Sequence, residues 1–212
     1  MGLPVYDFHH DLRNVLVTPQ IRARFMRFAP GEVASLHSHD LGHEIFLVLQ
    51  GRARFRIAGE EAELGPGQMC IALADQSHQV RVVGDEPMTL YLSVTPHIQP
   101  THTGRTETDE RLPLHYLPAS AYDVEPGSDV TVVESIGRCV EASRDLAQAA
   151  DDSRQAFAQA AGRLQQALAA GDVETAGAIR DGLWERVCRT YAQVYALGEV
   201  WNELAPMAAK TT

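Results

Sequence analysis

The chain is 212 residues long, 45% hydrophobic and 22% charged, with a formal net charge of -10 at pH 7. Such near-average values exclude wholesale disorder, a collagen-like chain and a lone coiled coil, and the length suits one ordinary domain with an attachment. The negative charge would repel a phosphate backbone or an anionic membrane surface, which leaves small molecules and other proteins as expected partners.

The N-terminus, Met1 to Asp7, has neither a basic lead nor an apolar core, and Tyr6 stands where a myristoylation signal needs Ser or Thr. The longest apolar run, Ile45 to Leu49, is far shorter than the roughly 20 residues of a membrane-spanning helix, so a cytoplasmic address is expected. His9 and His10 read as part of a polar arm.

From Ile21 to Thr95 short β-type runs alternate with turn signals. The predicted strands are Ile21 to Phe28, Val33 to His39, Glu44 to Gln50, Arg52 to Ile57, Ala62 to Leu64, Met69 to Leu73, His78 to Val83 and Met88 to Thr95. Pro30-Gly31, Gln50-Gly51, Ala58-Gly59, Pro66-Gly67 and Gly84-Asp85 separate them, residues that supply a positive or preset φ at tight turns. Many short strands without intervening helices predict an antiparallel sandwich or barrel over 1–96. Strict alternation from Arg52 to Ile57 sets three arginines on one solvated face. Arg22, Arg24 and Arg27 read as another solvated stripe, with Arg24 a candidate partner for an anionic substrate.

Residues 97–127 carry Pro100, Pro113, Pro118 and Pro126 among Thr, Gly and charged residues, which predicts an extended connector draped over the sheet. From Ser128 or Asp129 the strong helix formers take over. Val133, Ile136, Val140, Phe157, Ala161, Leu164 and Leu168 fall at helical steps, with a break expected at Asp151-Asp152-Ser153. Gly171-Asp172 supplies a stop and a fresh N-cap, and a second helix runs from Val173 to before Pro206. Residues 128–206 are therefore predicted as a helical hairpin, with Trp184, Tyr191 and Trp201 as its core or its contact with a second copy. A homodimer is expected. Cys70, Cys139 and Cys188 are widely spaced, without a CxxC, and read as buried thiols. The near-absence of Lys and the abundance of Ala fit a GC-rich bacterial genome.

The chemistry concentrates between Gly31 and Gly51. His37 and His39 leave the same face of an extended run, and Glu44 follows after a turn. Two neutral imidazoles and a carboxylate suit Fe, Mn, Ni, Co, Cu or Zn, and His78, opening a later strand, can complete the set. His43 points to the opposite face. Phe46 and Val48 share the parity of Glu44, and Val80 that of His78, which predicts an apolar substrate pocket. Tyr91 and the loop residues His97 and His102 are further pocket candidates. No phosphate loop, GxSxG or nucleotide fingerprint is present.

These residues resemble the cupin superfamily. Its first motif is Gly, five residues, His-x-His, three or four residues, Glu, six residues and Gly, and Gly31, His37, His39, Glu44 and Gly51 match it. The second motif is matched by Gly67 and His78, with Leu73, Asp75 and Val82 in place of the usual Pro, Gly and Asn. The resemblance covers roughly Phe25 to Thr95 and implies a mainly β fold, a double-stranded β-helix holding one divalent transition metal through His37, His39, Glu44 and His78. It implies a metal-dependent enzyme on a small molecule, foremost an oxygenase on a chelating substrate with Glu44 as catalytic proton carrier. An isomerase or cyclase, and a metabolite-sensing module, are the alternatives.

Overall fold

The computed structural model describes residues 2–125 and 130–207, which divide into a β unit and a helical unit. Ser128 and Asp129, the expected helix start, and Pro126 and Gly127 lie outside the described residues.

Ten strands make two antiparallel five-stranded sheets: β1 (Asn14–Val17), β2 (Arg22–Phe28), β3 (His37–Ser38), β4 (His43–Gln50), β5 (Ala53–Ile57), β6 (Glu60–Leu64), β7 (Met69–Ala72), β8 (His78–Val82), β9 (Met88–Thr95) and β10 (Thr103–Gly104). One sheet runs β1-β2-β9-β4-β7 and the other β10-β3-β8-β5-β6. The core between them is built from every second residue of the central strands, Phe46 and Val48, Phe55, Val80 and Val82, and Leu90 and Leu92. β5 and β6 are joined by Ala58-Gly59, both at positive φ, the geometry of a tight two-residue hairpin turn. Gly51 is obligatory: it has φ +71, and a Cβ there would overlap the Pro87 carbonyl.

Three expectations change. The predicted strand Val33 to His39 is ladder-paired only at His37–Ser38, with an isolated bridge from Val33 to Arg81. β1 and β10 were not anticipated. The proline-rich segment after residue 96 is part of the β unit: β10 pairs with β3, and a 3-10 turn at Ala119–Tyr122 buries Tyr122.

The helical unit contains α1 (Val132–Ala170) and α2 (Val173–Met207). Thr131 caps α1 in a reciprocal capping box with Glu134, and Gly171 ends it at φ +69. The break expected at Asp151-Asp152-Ser153 does not occur. The Ser153 hydroxyl reaches Thr190 Oγ1 at 2.8 Å across the hairpin, and Asp151 accepts from Arg154 and Gln155 within its own turn. α2 continues past Pro206 to Met207. Trp184 and Tyr191 are exposed, Trp184 by 63%, so neither is hairpin core; of the three cysteines expected buried, Cys188 is exposed and Cys70 and Cys139 are only partly buried. No helix among the described residues is long and apolar enough to cross a membrane.

Candidate metal centre

His37 and His78 face each other as a cross-strand pair of β3 and β8, and His39 follows one alternation later. Glu44 comes from β4 in the opposite sheet, so the four side chains meet between the sheets. All but His37, itself largely covered, are fully buried.

Each imidazole is held from behind. Nδ1 of His37 bonds the Ser35 carbonyl at 2.9 Å, Nδ1 of His78 bonds the Gln76 carbonyl at 2.9 Å, and Nδ1 of His39 bonds the Thr101 carbonyl. A carbonyl oxygen can only accept, so all three Nδ1 atoms carry the proton and, in the neutral rings, all three Nε2 lone pairs point at the common centre. There His39 Nε2 and His78 Nε2 each lie 2.8 Å from Glu44 Oε2, His37 Nε2 lies 3.2 Å from His78 Nε2 and 4.0 Å from Glu44 Oε2. A metal with bonds of about 2.1 Å sets its ligand atoms about 3 to 4.2 Å apart, and these four atoms, all within 4.8 Å of one another, need shift only by a few tenths of an ångström to share one ion. Four lone-pair donors crowded together need a cation among them, a metal or protons on the imidazoles.

The electrostatics agree. Burial, then the neighbouring His78, lowers the His37 pKa from 6.5 to about 4, which keeps the ring neutral and ligating in mild acid. Burial raises Glu44, but where protons on the His39 and His78 Nε2 atoms stand in for a metal cation, their hydrogen bonds and positive charge outweigh it and hold the carboxyl well below its ordinary range.

A family model described as a cupin domain matches residues 24–95. The barrel is a cupin domain. Among solved structures, the chain is similar to a Klebsiella pneumoniae protein with a double-stranded β-helix domain, at 23% identity over 45% of this chain and 91% of that one, with TM-score 0.42. It is also similar to KdgF from a Halomonas species (26% identity, 40% and 78% covered, TM-score 0.37) and to an oxalate oxidase (20% identity, 36% and 42% covered, TM-score 0.35). No curated protein matches the chain.

A cavity of about 370 Å³ opens beside His37, Glu44 and His78 of the cupin barrel. Of the residues expected to line it, Arg24, Phe46, Val80 and His102 do. Three lie elsewhere. Tyr91 points away from the cavity because Leu90 and Leu92 take the inward parity of β9, and its ring packs on Phe25 at 5.9 Å. Val48, 0% exposed, lies in the core rather than on the cavity wall. His97 is buried against Tyr122, ring centroids 4.9 Å apart, outside the cavity lining. His43 is exposed and accepts the Ala74 backbone N–H at 2.8 Å.

His102 is closer to the centre than sequence spacing suggested, its ring 4.8 and 4.9 Å from those of His37 and His39. The β10–β3 pairing puts it there, and burial followed by the His37 charge holds its pKa well below 6.5. Arg22, expected in a solvated stripe, lines the cavity at 2% exposure. Arg27 alone keeps the outward face, bonding Thr89 Oγ1 at 3.1 Å.

Proposed function

We propose that the protein is a metal-dependent oxygenase acting on a small chelating phenol, enol or thiol, with His37, His39, Glu44 and His78 holding one divalent transition metal. The observation that carries this reading is the tie-back of three Nδ1 atoms to carbonyls, which aims three Nε2 lone pairs and Glu44 at one point beside a cavity. When bound, the ion supplies Lewis-acid charge and a template for the chelate.

The chain's own residues do the rest. Glu44 is the catalytic residue: its carboxylate oxygen not turned to the imidazoles would take the proton a phenol or enol loses on chelation. Phe46, Val80, Leu90 and Leu92 exclude water from the bound substrate and give it an apolar bed. His102, kept neutral, can accept a hydrogen bond from the substrate without adding positive charge.

The test is oxygen uptake by metal-reconstituted protein with chelating phenols and enols, alongside elemental analysis. Oxygen consumed in step with substrate supports the reading. Conversion at the same rate without oxygen replaces it with an isomerase or cyclase. Failure to retain metal, or retention unchanged in His37→Ala with His39→Ala, overturns the ligand set.

A further inference from the structure

Alternation along β2 turns Arg22, Arg24, Met26 and Phe28 toward the cavity. The register places Arg22 opposite Val94 and Val94 opposite Glu44, so Arg22 shares a cross-strand row with the glutamate, two strands away. At about 4.8 Å per strand the two backbones are about 10 Å apart, within reach of one small molecule between the side chains.

Neither guanidinium has an ion-pair or hydrogen-bond partner among the described residues, and Nε of both is buried without one. The Tyr122 ring lies against Arg22, 5.4 Å from its carbon centre. A buried cation, Arg22, beside a partly buried one, Arg24, is costly unless something neutralises the pair. The carboxylates at hand are committed elsewhere: Glu44 to the imidazoles, Asp123 to the backbone and side-chain amides of Asn14 at 2.8 and 2.9 Å, and Glu32 to the Ala29 N–H at 2.7 Å. A divalent ion would add to the positive excess. Planar guanidinium forks match a carboxylate, and Glu44 behind the site favours a monoanion over a dianionic phosphate.

We propose that Arg22 and Arg24 form an anion subsite that holds a carboxylate of the substrate, whose far end chelates at the His37, His39, Glu44 and His78 centre. The chelating half rests on the function proposed above; the anion half does not. The substrate class is therefore a small carboxylic acid with an apolar body and a chelating group at the opposite end.

The test separates the halves. Metal-free protein is titrated calorimetrically with benzoate, benzamide and phenyl phosphate, and zinc-loaded protein with benzoate and 3,4-dihydroxybenzoate. Benzoate should bind at least about tenfold tighter than benzamide, with that preference lost in Arg22→Gln and in Arg24→Gln. Equal binding of benzoate and benzamide by the unmutated protein overturns the subsite without recourse to a variant that misfolds. Tighter binding of phenyl phosphate than benzoate overturns the carboxylate assignment. A benzoate preference with no gain for 3,4-dihydroxybenzoate on zinc-loaded protein refutes the chelating half and leaves the arginine subsite standing.

Discussion

Acidification should weaken the β unit, and His97 sets the size of one contribution. Its ring is 3% exposed, packed against Tyr122. Burial, with the positive charge of Arg22 and the neighbouring His39 added, lowers its pKa from 6.5 to about 3. The unfolded chain therefore takes up a proton near pH 6.5 that the folded chain refuses until about pH 3. Stability from this source is whole above pH 6.5 and is lost as the pH falls through that window, because the unfolded state binds the extra proton. The slope is about 1.4 kcal/mol per pH unit, or roughly 2 kcal/mol between pH 7 and pH 5.

His97→Gln removes that proton-linked loss. It also disturbs packing at both pH values, so the quantity that counts is the change between them. Urea unfolding of metal-free protein at pH 7 and pH 5 measures it, followed through NMR signals of barrel residues, because Trp184 and Trp201 both lie in α2 and report the helices. The unmutated protein should lose about 2 kcal/mol more than His97→Gln on acidification. Equal losses would show that His97 protonates as easily folded as unfolded, and the account of its burial would fail.

The same logic bears on the metal: with His37 lowered to about 4, its ring stays neutral well below pH 6.5, so zinc release measured by dialysis at stepped pH should have its midpoint below 6.5. A midpoint at or above 6.5 contradicts that environment. Gly51→Ala forces an L side chain into φ +71 and within 2.8 Å of Met88 Cα, and should cost about 1–3 kcal/mol or more in chemical unfolding. An unaffected midpoint would mean that the β4–β5 turn relaxes freely. The homodimer expected from the hairpin predicts a two-chain mass by light scattering, reduced to one chain in Trp184→Glu with Tyr191→Glu, since both side chains are exposed. A one-chain mass for the unmutated protein refutes it.

What the sequence made legible follows from how local each signal is. His37, His39, Glu44 and His78 were readable because a period of two and short turns fix their faces almost without reference to the rest of the chain. The hairpin was readable from its Gly171-Asp172 stop and cap. Arg22 was misread as part of a solvated stripe, and Arg24 was only a candidate within that stripe, because β2 carries Met26 and Phe28 on one parity and Ala23 and Phe25 on the other. Both faces then look equally apolar, and only the pairing with β9 decides which is inward. His102 was undervalued for a related reason. Its place depends on a two-residue strand in a proline-rich stretch pairing with β3 more than 60 residues away, a contact that no local periodicity encodes.

The departures from the second cupin motif also acquire a physical account, at least at Asp75. The residue sits at φ +64, the left-handed conformation that the usual glycine adopts freely and that Asp tolerates better than most. Its backbone N–H bonds the His39 carbonyl at 2.7 Å, so the strained turn is fastened directly behind a ligand. Its carboxylate, which glycine lacks, pairs with Arg105 and, at 2.7 Å, with Arg111. Arg105 in turn donates to the Ser38 hydroxyl at 3.0 Å, between the two β3-side ligands. One aspartate thus ties the loop before His78 to β3 and to the segment that follows β10, the strand that His102 immediately precedes. The backbone strain of a non-glycine residue is offset by crosslinks that hold three histidine-bearing segments in one arrangement, which is what a preorganised ligand set requires.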